Sequence, residues 1–380
     1  NHEFDSRPEG LAKVIALSNF PYLCANLDPM PQKGINHIPY KVFNIDGISI
    51  GVLGVVQLGT HGLPDTHPNN VRGFPFKPVE EAIAQYAWLT KKCDVNILLS
   101  HIGYEEDVRM AARFPYYDLI IGGHSHTQLK GGEMHNGVLI TQNVNRLKKA
   151  TLITLTVDNG KVVAKEAKNI DVEHHSANNV VANELFRFFN ENEAFKRKLA
   201  VAETPFANNE ELGMFMCDAI RSEGKADIAV WNEGGVRLSR MPAGPITVNQ
   251  VLTLDPFGNP CIEMNITGKE LYDLMKACYV NDENRFPLTS SNIACTITID
   301  KANQANIKRL VISDDKGKPL GMKKTYRVVM NSYVASICDS PRKDQGRDTN
   351  LLTADMIIAH LEKVGKVSYA GKRCRKMVLQ

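Results

Sequence analysis

Histidines that follow short apolar segments are the residues of this sequence best suited to chemistry. His101 ends the segment "VNILLSH" (95–101), and His124 and His126 follow "YDLIIGG" (117–123). His124 and His126 are two residues apart, so in an extended segment they project to the same side. Neutral imidazoles that converge on one place suit a transition metal such as Zn, Mn, Fe or Ni. A single histidine at a strand end is as often a structural hydrogen-bond partner, but several beside glycines predict a metal site.

A second candidate site is the segment "WNEGGVR" (231–237), which follows an apolar run. Its glycines leave backbone N–H groups accessible, and Arg237 adds a guanidinium fork that can pair with an anion. The alternative interpretation is a simple turn with a surface arginine.

The elements that would position these residues alternate between strand and helix patterns. Short apolar runs rich in β-branched residues are typical of buried strands and occur at 48–56, 95–101, 117–126 and 138–142. Residues 78–93 have the apolar spacing of a helix. Ligands generally bind at the carboxyl edge of an α/β sheet, which is where the histidines would lie.

The rest of the chain predicts a connector and a second domain. Residues 180–200 ("VVANELFRFFNENEAFKRKLA") have the pattern of one amphipathic helix of about five turns. Helix and strand patterns then mix to the end of the chain, which predicts a second α/β or α+β domain. We therefore expect a first domain at 1–175, a linker helix at 176–202 and a second domain at 203–380.

Length and composition limit the function classes. A chain of 380 residues and 42.2 kDa is expected to form two domains. No apolar run approaches the ~20 residues of a membrane span, so we expect none here. The net charge of +3 is small and dispersed, which argues against a nucleic-acid polymer as partner. The eight cysteines form no CxxC pair, so buried thiols are favoured, although one or two disulfides stay possible.

The motifs, taken in order, resemble a known family. "NHEFD" (1–5), "SHIG" (100–103) and "GGHSHT" (122–127) are similar to motifs of the calcineurin-like metallophosphatases, specifically the 5'-nucleotidase family. The resemblance continues through segments of the second domain, namely "NEGGVR" (232–237), "ITVNQVLTLDPFGN" (246–259) and "ITGKELYDLM" (266–275). It implies an α/β fold: a four-layer, N-terminally truncated β-sandwich flanked by helices, joined by a helix to a smaller α/β substrate-binding domain.

The resemblance implies a dinuclear site of two divalent metal ions (Zn, Mn, Co or Fe). Asn1, His101 and His124 would bind one metal, and His126 the other. His2 would be the catalytic histidine near the leaving group, with Asp5 orienting it. Two metals ~3.5–4 Å apart can activate a hydroxide for attack on phosphorus and clamp the phosphoryl oxygens. A carboxylate bonded to a histidine fixes its tautomer and favours its charged form, which suits a proton donor to a departing alkoxide.

The same resemblance places further ligands outside the sequence. The family's Asp-x-His motif and the bridging Asp of "GDxxxGNHE" both precede the Asn of "NHE", so they would lie before residue 1. Loss of the strands that carry them would leave unpaired sheet edges in an apolar domain. We expect this sequence to be a fragment of a longer chain, unable by itself to hold two metals and so inactive.

The second domain carries the substrate residues that the resemblance implies. Asn232, Gly234, Gly235 and Arg237 match the substrate-contacting "NGGGxR" motif, with Glu233 in place of one glycine. Phe257 matches a phenylalanine that stacks on the nucleobase, although a phenylalanine after a proline could equally fill a core.

Other positions depart from the family. Residues 338–350 ("CDSPRKDQGRDTN") lack its second stacking aromatic, and Asn208 and Asn209 stand where relatives often have an arginine. Because stacking of one base is worth ~1–3 kcal/mol, we expect weaker nucleotide recognition. The cations of that loop could contact a phosphate, although a solvated cluster is the commoner meaning: Arg342, Lys343 and Arg347.

Together these features predict metal-dependent hydrolysis of phosphate esters or anhydrides of nucleotides, of the 5'-nucleotidase or UDP-sugar hydrolase type. A phosphodiesterase or phosphoesterase for a non-nucleoside substrate is one alternative, and a catalytically decayed nucleotide-binding protein is another. The partner would be a small nucleotide-like molecule. The resemblance implies a periplasmic or extracellular location.

Overall fold

The computed structural model describes residues 1–59, 61–172, 179–281, 288–304, 306–338 and 340–380. These residues form two units, Asn1–Asn178 and Asn179–Gln380. The predicted domain boundary between residues 175 and 176 lies outside the described residues.

The first unit is built on a six-stranded sheet in the order β1-β2-β3-β4-β6-β5. Its strands are β1 (Tyr40–Ile45), β2 (Ile48–Val56), β3 (Val95–His101), β4 (Leu119–Ile121), β5 (Glu133–His135) and β6 (Val138–Thr141). β2, β3, β4 and β6 pair in parallel, and β1 and β5 are antiparallel edges. The strands predicted at 48–56, 95–101 and 138–142 are confirmed. The run at 117–126 is a strand only over Leu119–Ile121, because its glycines and histidines form a loop.

Helices lie in the same unit as this sheet. They are α1 (Arg7–Leu17), α2 (Val79–Gln85) and α3 (Tyr104–Arg113), with single 3-10 turns at His2–Ser6, Pro31–Lys33, Pro68–Val71 and Ala87–Lys91. The helix predicted at 78–93 is therefore divided into α2 and a 3-10 turn. Ile83 of α2 and Met110 of α3 pack with Leu53, Leu98 and Ile120 of the strands in one apolar core. The apolar face of each helix thus fixes its position over the strands.

A separate two-stranded sheet follows, formed by β7 (Lys149–Asp158) and β8 (Lys161–Asp171). Half-buried and exposed residues alternate along β7, which is the period-2 pattern of a strand with one covered face.

The second unit begins with a helix that is shorter than predicted. α4 (Val180–Asn190) and α5 (Glu193–Lys196) are followed by strand β9 (Lys198–Ala202), so the single helix expected at 180–200 is wrong. The Asn192 side chain accepts from Ala194 N and starts α5 as an N-cap. Leu199 and Ala200 are buried in the core of the unit, which favours the strand.

Three sheets make up the second unit, in the orders β13-β10-β16-β12-β17, β11-β9-β18 and β15-β14-β19. Their remaining strands are β10 (Ile228–Asn232), β11 (Gly244–Thr247), β12 (Pro260–Thr267), β13 (Leu288–Ser291), β14 (Ile293–Ile299), β15 (Ile307–Asp314), β16 (Thr325–Asn331), β17 (Arg347–Leu352), β18 (Lys366–Val367) and β19 (Arg375–Leu379).

Helices pack on both faces of the five-stranded sheet and enclose two apolar cores. They are α6 (Asn209–Glu223), α7 (Val248–Leu254), α8 (Gly268–Asn281), α9 (Ser332–Ile337) and α10 (Thr353–Val364). Thr247 and Gln250 form a reciprocal capping box at the start of α7. Within the described ranges, no helix has both the length and the apolar character needed to cross a bilayer. The predicted mixed α/β fold class is confirmed.

One pair of cysteines forms a disulfide, whereas the sequence favoured buried thiols. Cys278 of α8 and Cys338, just after α9, form a disulfide with a Cα–Cα distance of 5.5 Å. The two residues are 60 positions apart, so sequence spacing gave no indication of the pairing. The other six cysteines are unbridged, and four of them are buried.

Reduction of this disulfide should lower the free energy of unfolding of the second unit by about 2–4 kcal/mol, because the unfolded chain regains the entropy of a long loop. Urea unfolding followed by the fluorescence of Trp231, a fully buried residue of this unit, measures the change with and without reductant. In a Cys278→Ser variant, reductant should have no further effect. An unchanged urea midpoint on reduction of the wild type would contradict the prediction.

Candidate functional site

The histidine loops lie at one edge of the six-stranded sheet. His101 is the last residue of β3, and the loop with His124 and His126 follows β4, which is parallel to β3. The carboxyl ends of parallel strands share an edge, so the loops are neighbours. The ring centroids of His101 and His124 are 5.4 Å apart.

The loop after β4 is not extended, contrary to the sequence expectation. His124 and His126 have φ angles of 75° and 56°, in the left-handed region. That region is uncommon for residues other than glycine, and such strain tends to occur at functional sites. Gly123 lies in the loop between β4 and His124. A glycine is needed at this position, because a Cβ atom there would lie 2.8 Å from His101 Nδ1.

The amino-terminal segment brings Asn1 to His101. Asn1 Oδ1 lies 2.8 Å from His101 Nε2, and Asn1 Nδ2 donates to the backbone oxygen of Asp65 at 2.8 Å. The neighbouring Phe4 is buried with its ring edge-on to Phe74. The apolar contact holds the short 3-10 turn that carries these polar residues.

His2 and Asp5 form a hydrogen-bonded pair within this turn. His2 Nδ1 lies 2.7 Å from Asp5 Oδ2, and Asp5 Oδ1 accepts from Thr66 Oγ1 at 2.8 Å. Asn70 Nδ2 donates to the backbone oxygen of Asp5 at 3.4 Å. Asp5 is therefore held by a neighbouring loop, while the His2 side chain is about half exposed.

Sequence reasoning missed three polar residues of this edge. Asp65, in the loop after β2, places Oδ2 3.6 Å from His124 Nε2. Gln142 follows β6, and its Oε1 accepts from Ser125 Oγ and Thr127 N at 2.8 and 2.6 Å. Asp107 is fully buried in the first turn of α3. The sequence did contain one indication of this site, because Asp65 and Gln142 come after or at the end of segments predicted to be strands, as the histidines do.

Burial keeps the two central imidazoles neutral. It lowers the pKa of His101 to about 4 and also lowers the pKa of His124, where the nearby Asp65 carboxylate acts in the opposite direction. A neutral imidazole is the form that binds a metal.

The arrangement fits a metal held partly by an amide oxygen. Among the described residues, no group of three or more His, Cys, Asp or Glu side chains is placed to hold a metal. Asn1 supplies an amide oxygen, Oδ1, as a further donor. This atom lies 2.8 Å from His101 Nε2, and two donors bound to one divalent ion are expected to lie about 3 Å apart. Asn1, His101 and His124 therefore suit one metal in donor type and charge, with His126 exposed beyond them.

In the second unit, the segment after β10 forms a close-packed turn. Asn232 ends β10 and its Oδ1 accepts from Asn331 Nδ2 at 3.1 Å. A Cβ atom at Gly235 would lie 2.6 Å from Trp231 Nε1. Glycine is therefore required there, which a simple surface turn would not demand.

Arg237 and Phe257 lie together beside this turn. Arg237 NH1 donates to the backbone oxygen of Gly234 at 3.2 Å, and the guanidinium carbon lies 5.5 Å from the centroid of the Phe257 ring. The pair offers a cation and an aromatic ring at one place. Glu233 is paired with Arg375 at 2.9 Å, so its negative charge is countered by a neighbouring cation.

Comparison with known proteins agrees with the motifs. The family model described as "5'-nucleotidase, C-terminal domain" matches residues 190–341. A 5'-nucleotidase of Vibrio vulnificus is 26% identical, over 96% of this chain and 75% of its own length. The second unit therefore resembles the C-terminal domain of 5'-nucleotidases, and the chain is similar to a 5'-nucleotidase over most of its length.

Two further proteins are similar to this chain over nearly its whole length, one in sequence and one in structure. A trifunctional nucleotide phosphoesterase protein of Bacillus subtilis is 25% identical over 97% of this chain, which spans only 29% of that protein. The crystal structure of a 5'-nucleotidase precursor from Thermus thermophilus superimposes with a TM-score of 0.84 at 24% identity, covering 99% of this chain and 82% of the other. The chain therefore has the fold of that 5'-nucleotidase precursor.

Cations in the loop that departs from the 5'-nucleotidase pattern have internal partners. Arg342 donates to the backbone oxygens of Cys338 and Ala335 at the end of α9. Arg347 lies 3.3 Å from Glu263. These contacts favour a structural role for both arginines over compensation for a lost substrate contact.

A Gly123→Ala substitution should lower the free energy of unfolding of the first unit by about 1–3 kcal/mol, because the added methyl group would meet the His101 ring. Gly59→Ala, where the nearest atom would be 3.6 Å away, is the matched control and should change stability by less than about 0.5 kcal/mol. Urea unfolding of both variants measures the difference. Equal stability of the two variants would show that the loop accepts a side chain at 123.

Proposed function

We propose that this chain acts in the metal-dependent hydrolysis of phosphate esters or anhydrides of nucleotides. The observation that carries the proposal is the gathering of Asn1, His101 and His124 at one sheet edge in a chain that is similar to 5'-nucleotidases. His2 and Asp5 lie on the same amino-terminal turn as Asn1.

Asn1, His101 and His124 would hold one divalent metal, and His126 would belong to a neighbouring ion. When bound, such ions activate a water molecule and neutralise the charge on phosphoryl oxygens. The chain itself keeps His101 neutral by burial and orients it through the Asn1 contact.

His2 is assigned the proton transfer to the leaving oxygen. The Asp5 carboxylate 2.7 Å from His2 Nδ1 fixes the tautomer of the imidazole. Thr66 and Asn70 hold Asp5, so the imidazole keeps its orientation. Asp5 therefore acts by positioning, and His2 by contact with the substrate.

The second unit is assigned the recognition of the nucleoside. Phe257 would stack on the base, and Arg237 with the turn at Gly234 and Gly235 would pair with an anionic or polar group. The cation–ring contact of 5.5 Å supports the joint use of Arg237 and Phe257.

One observation favours a second candidate, a phosphoesterase for a non-nucleoside substrate. Residues 338–350 contain no aromatic side chain, and Arg342 and Arg347 of this loop bond to protein groups. Phe257 would then stack on a base without the second aromatic side chain that the family resemblance implies for this loop.

The disulfide supports a periplasmic or extracellular location for this protein. Disulfides persist in oxidising compartments and are rare in the cytosol. Cys278 and Cys338 are both buried, which is consistent with a structural bridge.

His101→Ala in the full-length protein should lower turnover of nucleotides and metal affinity by about 100-fold or more, because even the outer partners of a metal site are worth about 10–100-fold. Phosphate release with added Mn²⁺, Co²⁺ or Zn²⁺ and elemental analysis of metal content measure the two effects. His135→Ala, on β5, is the control and should keep both. Wild-type protein that binds nucleotides but turns over none with any metal would instead support the decayed-enzyme alternative.

Phe257→Leu should raise the KM for nucleotides by about 5- to 100-fold, the equivalent of a lost base-stacking contact. The KM for p-nitrophenyl phosphate, which has no nucleobase, should be unchanged. Tyr272→Leu, a partly buried residue of α8, is the matched aromatic control. An equal rise for both substrates would assign Phe257 to packing, and no rise for nucleotides would favour the non-nucleoside candidate.

A further inference from the structure

A buried carboxyl group lies beneath the two histidine loops. Asp107 belongs to the first turn of α3 and its side chain has no exposed surface. Its Oδ1 accepts from Ser100 Oγ at 2.5 Å. Ser100 is itself buried and immediately precedes His101 at the end of β3. One oxygen of Asp107 therefore holds the strand end that delivers His101.

The other oxygen faces the loop that delivers His124. Asp107 Oδ2 has no hydrogen-bond partner among the described residues, and a Cβ atom at Gly122 would collide with it. The oxygen thus lies against the backbone of Gly122, two residues before His124. Gly122 N donates to the backbone oxygen of Thr141 at 2.8 Å, which fixes the same residue from β6.

Gln142 also contacts this loop. Its Oε1 accepts from Ser125 and Thr127, and its Nε2 lies 3.1 Å from the Cβ position of Gly122. The left-handed backbone at His124 costs free energy and persists only where the surroundings fix it. Asp107 and Gln142, which both lie at the Cβ position of Gly122, are part of those surroundings.

We propose that Asp107 is a positioning residue that sets the placement of His101 relative to His124. The inference rests on the proposed function, in which both imidazoles bind one metal. A buried carboxyl group costs free energy that an apolar side chain of the same size would not. Burial also raises the pKa of Asp107 to about 7, as expected for a group retained at this cost. One oxygen of Asp107 bonds to Ser100, next to His101, and the other lies against Gly122, two residues before His124. Contact with both segments that carry the histidines explains why a carboxyl group is retained there.

Asp107→Asn in the full-length protein is the test, because the side chain keeps its size and its acceptor for Ser100, while an NH2 group replaces the oxygen that faces Gly122. We expect the affinity for Zn²⁺, measured by competition with a chelator, to fall about 10- to 100-fold. The kcat for nucleotide hydrolysis should fall while the KM, set by the second unit, stays within about twofold. In the metal-free protein, the imidazole NMR signals of His101 and His124 should shift, whereas those of His37, buried elsewhere in this unit, should not.

Asp94→Asn is the matched control. Asp94 accepts from Ser49 Oγ at 2.6 Å, another Asp–Ser pair, but at the amino ends of β2 and β3. This variant should leave Zn²⁺ affinity and the His101 and His124 signals unchanged. If Asp107→Asn does not fold, Ser100→Ala removes the hydrogen bond to Asp107 Oδ1 and should move the same signals.

The outcomes separate this inference from the proposed function. A folded Asp107→Asn protein with wild-type Zn²⁺ affinity and unshifted His101 and His124 signals would overturn the positioning role. Equal losses in Asp94→Asn would overturn it as well, since they would indicate general destabilisation. Wild-type protein that binds no metal would overturn the proposed function, and the metal-free NMR comparison would still decide whether Asp107 positions the imidazoles.

Discussion

Parallel pairing of β2, β3, β4 and β6 is the constraint on which the first unit depends. It brings the carboxyl ends of these strands to one edge, so the loops with Asp65, His101, His124 and Gln142 become neighbours. The strands are buried by helices on the sheet, and their apolar residues cannot shift register without exposing that core. Burial at this edge then keeps His101 and His124 neutral.

In the second unit, the turn after β10 places a cation beside an aromatic ring. Packing of Trp231 and Asn232 leaves no space for a side chain at Gly235, so the chain turns sharply after β10. That turn places Arg237 against Phe257, whose own loop follows α7. Two arginines of residues 338–350, Arg342 and Arg347, have backbone and carboxylate partners, whereas the proposed function assigns recognition to Arg237 and Phe257.

Patterns along the chain were enough to predict the mixed α/β fold, most strands of the first sheet and the histidines at strand ends. Features that depend on contacts between distant residues could not be predicted. The Cys278–Cys338 bridge spans 60 positions, and the contact of Asp107 with Gly122 needs the tertiary packing of α3. Local patterns also failed where capping competes with periodicity, as at Asn192, which starts a new helix within a continuous amphipathic pattern. The left-handed backbone of His124 was likewise invisible, because only glycine signals that conformation in a sequence.

The central claim is that Asn1, His101 and His124 share one metal ion. Anomalous diffraction at the zinc edge, from crystals of the full-length protein grown with Zn²⁺, tests it most directly. The account predicts a peak about 2.0–2.2 Å from His101 Nε2 and Asn1 Oδ1, with the direct contact between these two atoms replaced by bonds to the ion. Zinc bound elsewhere in such crystals, with His101 still bonded to Asn1 at 2.8 Å, would contradict it.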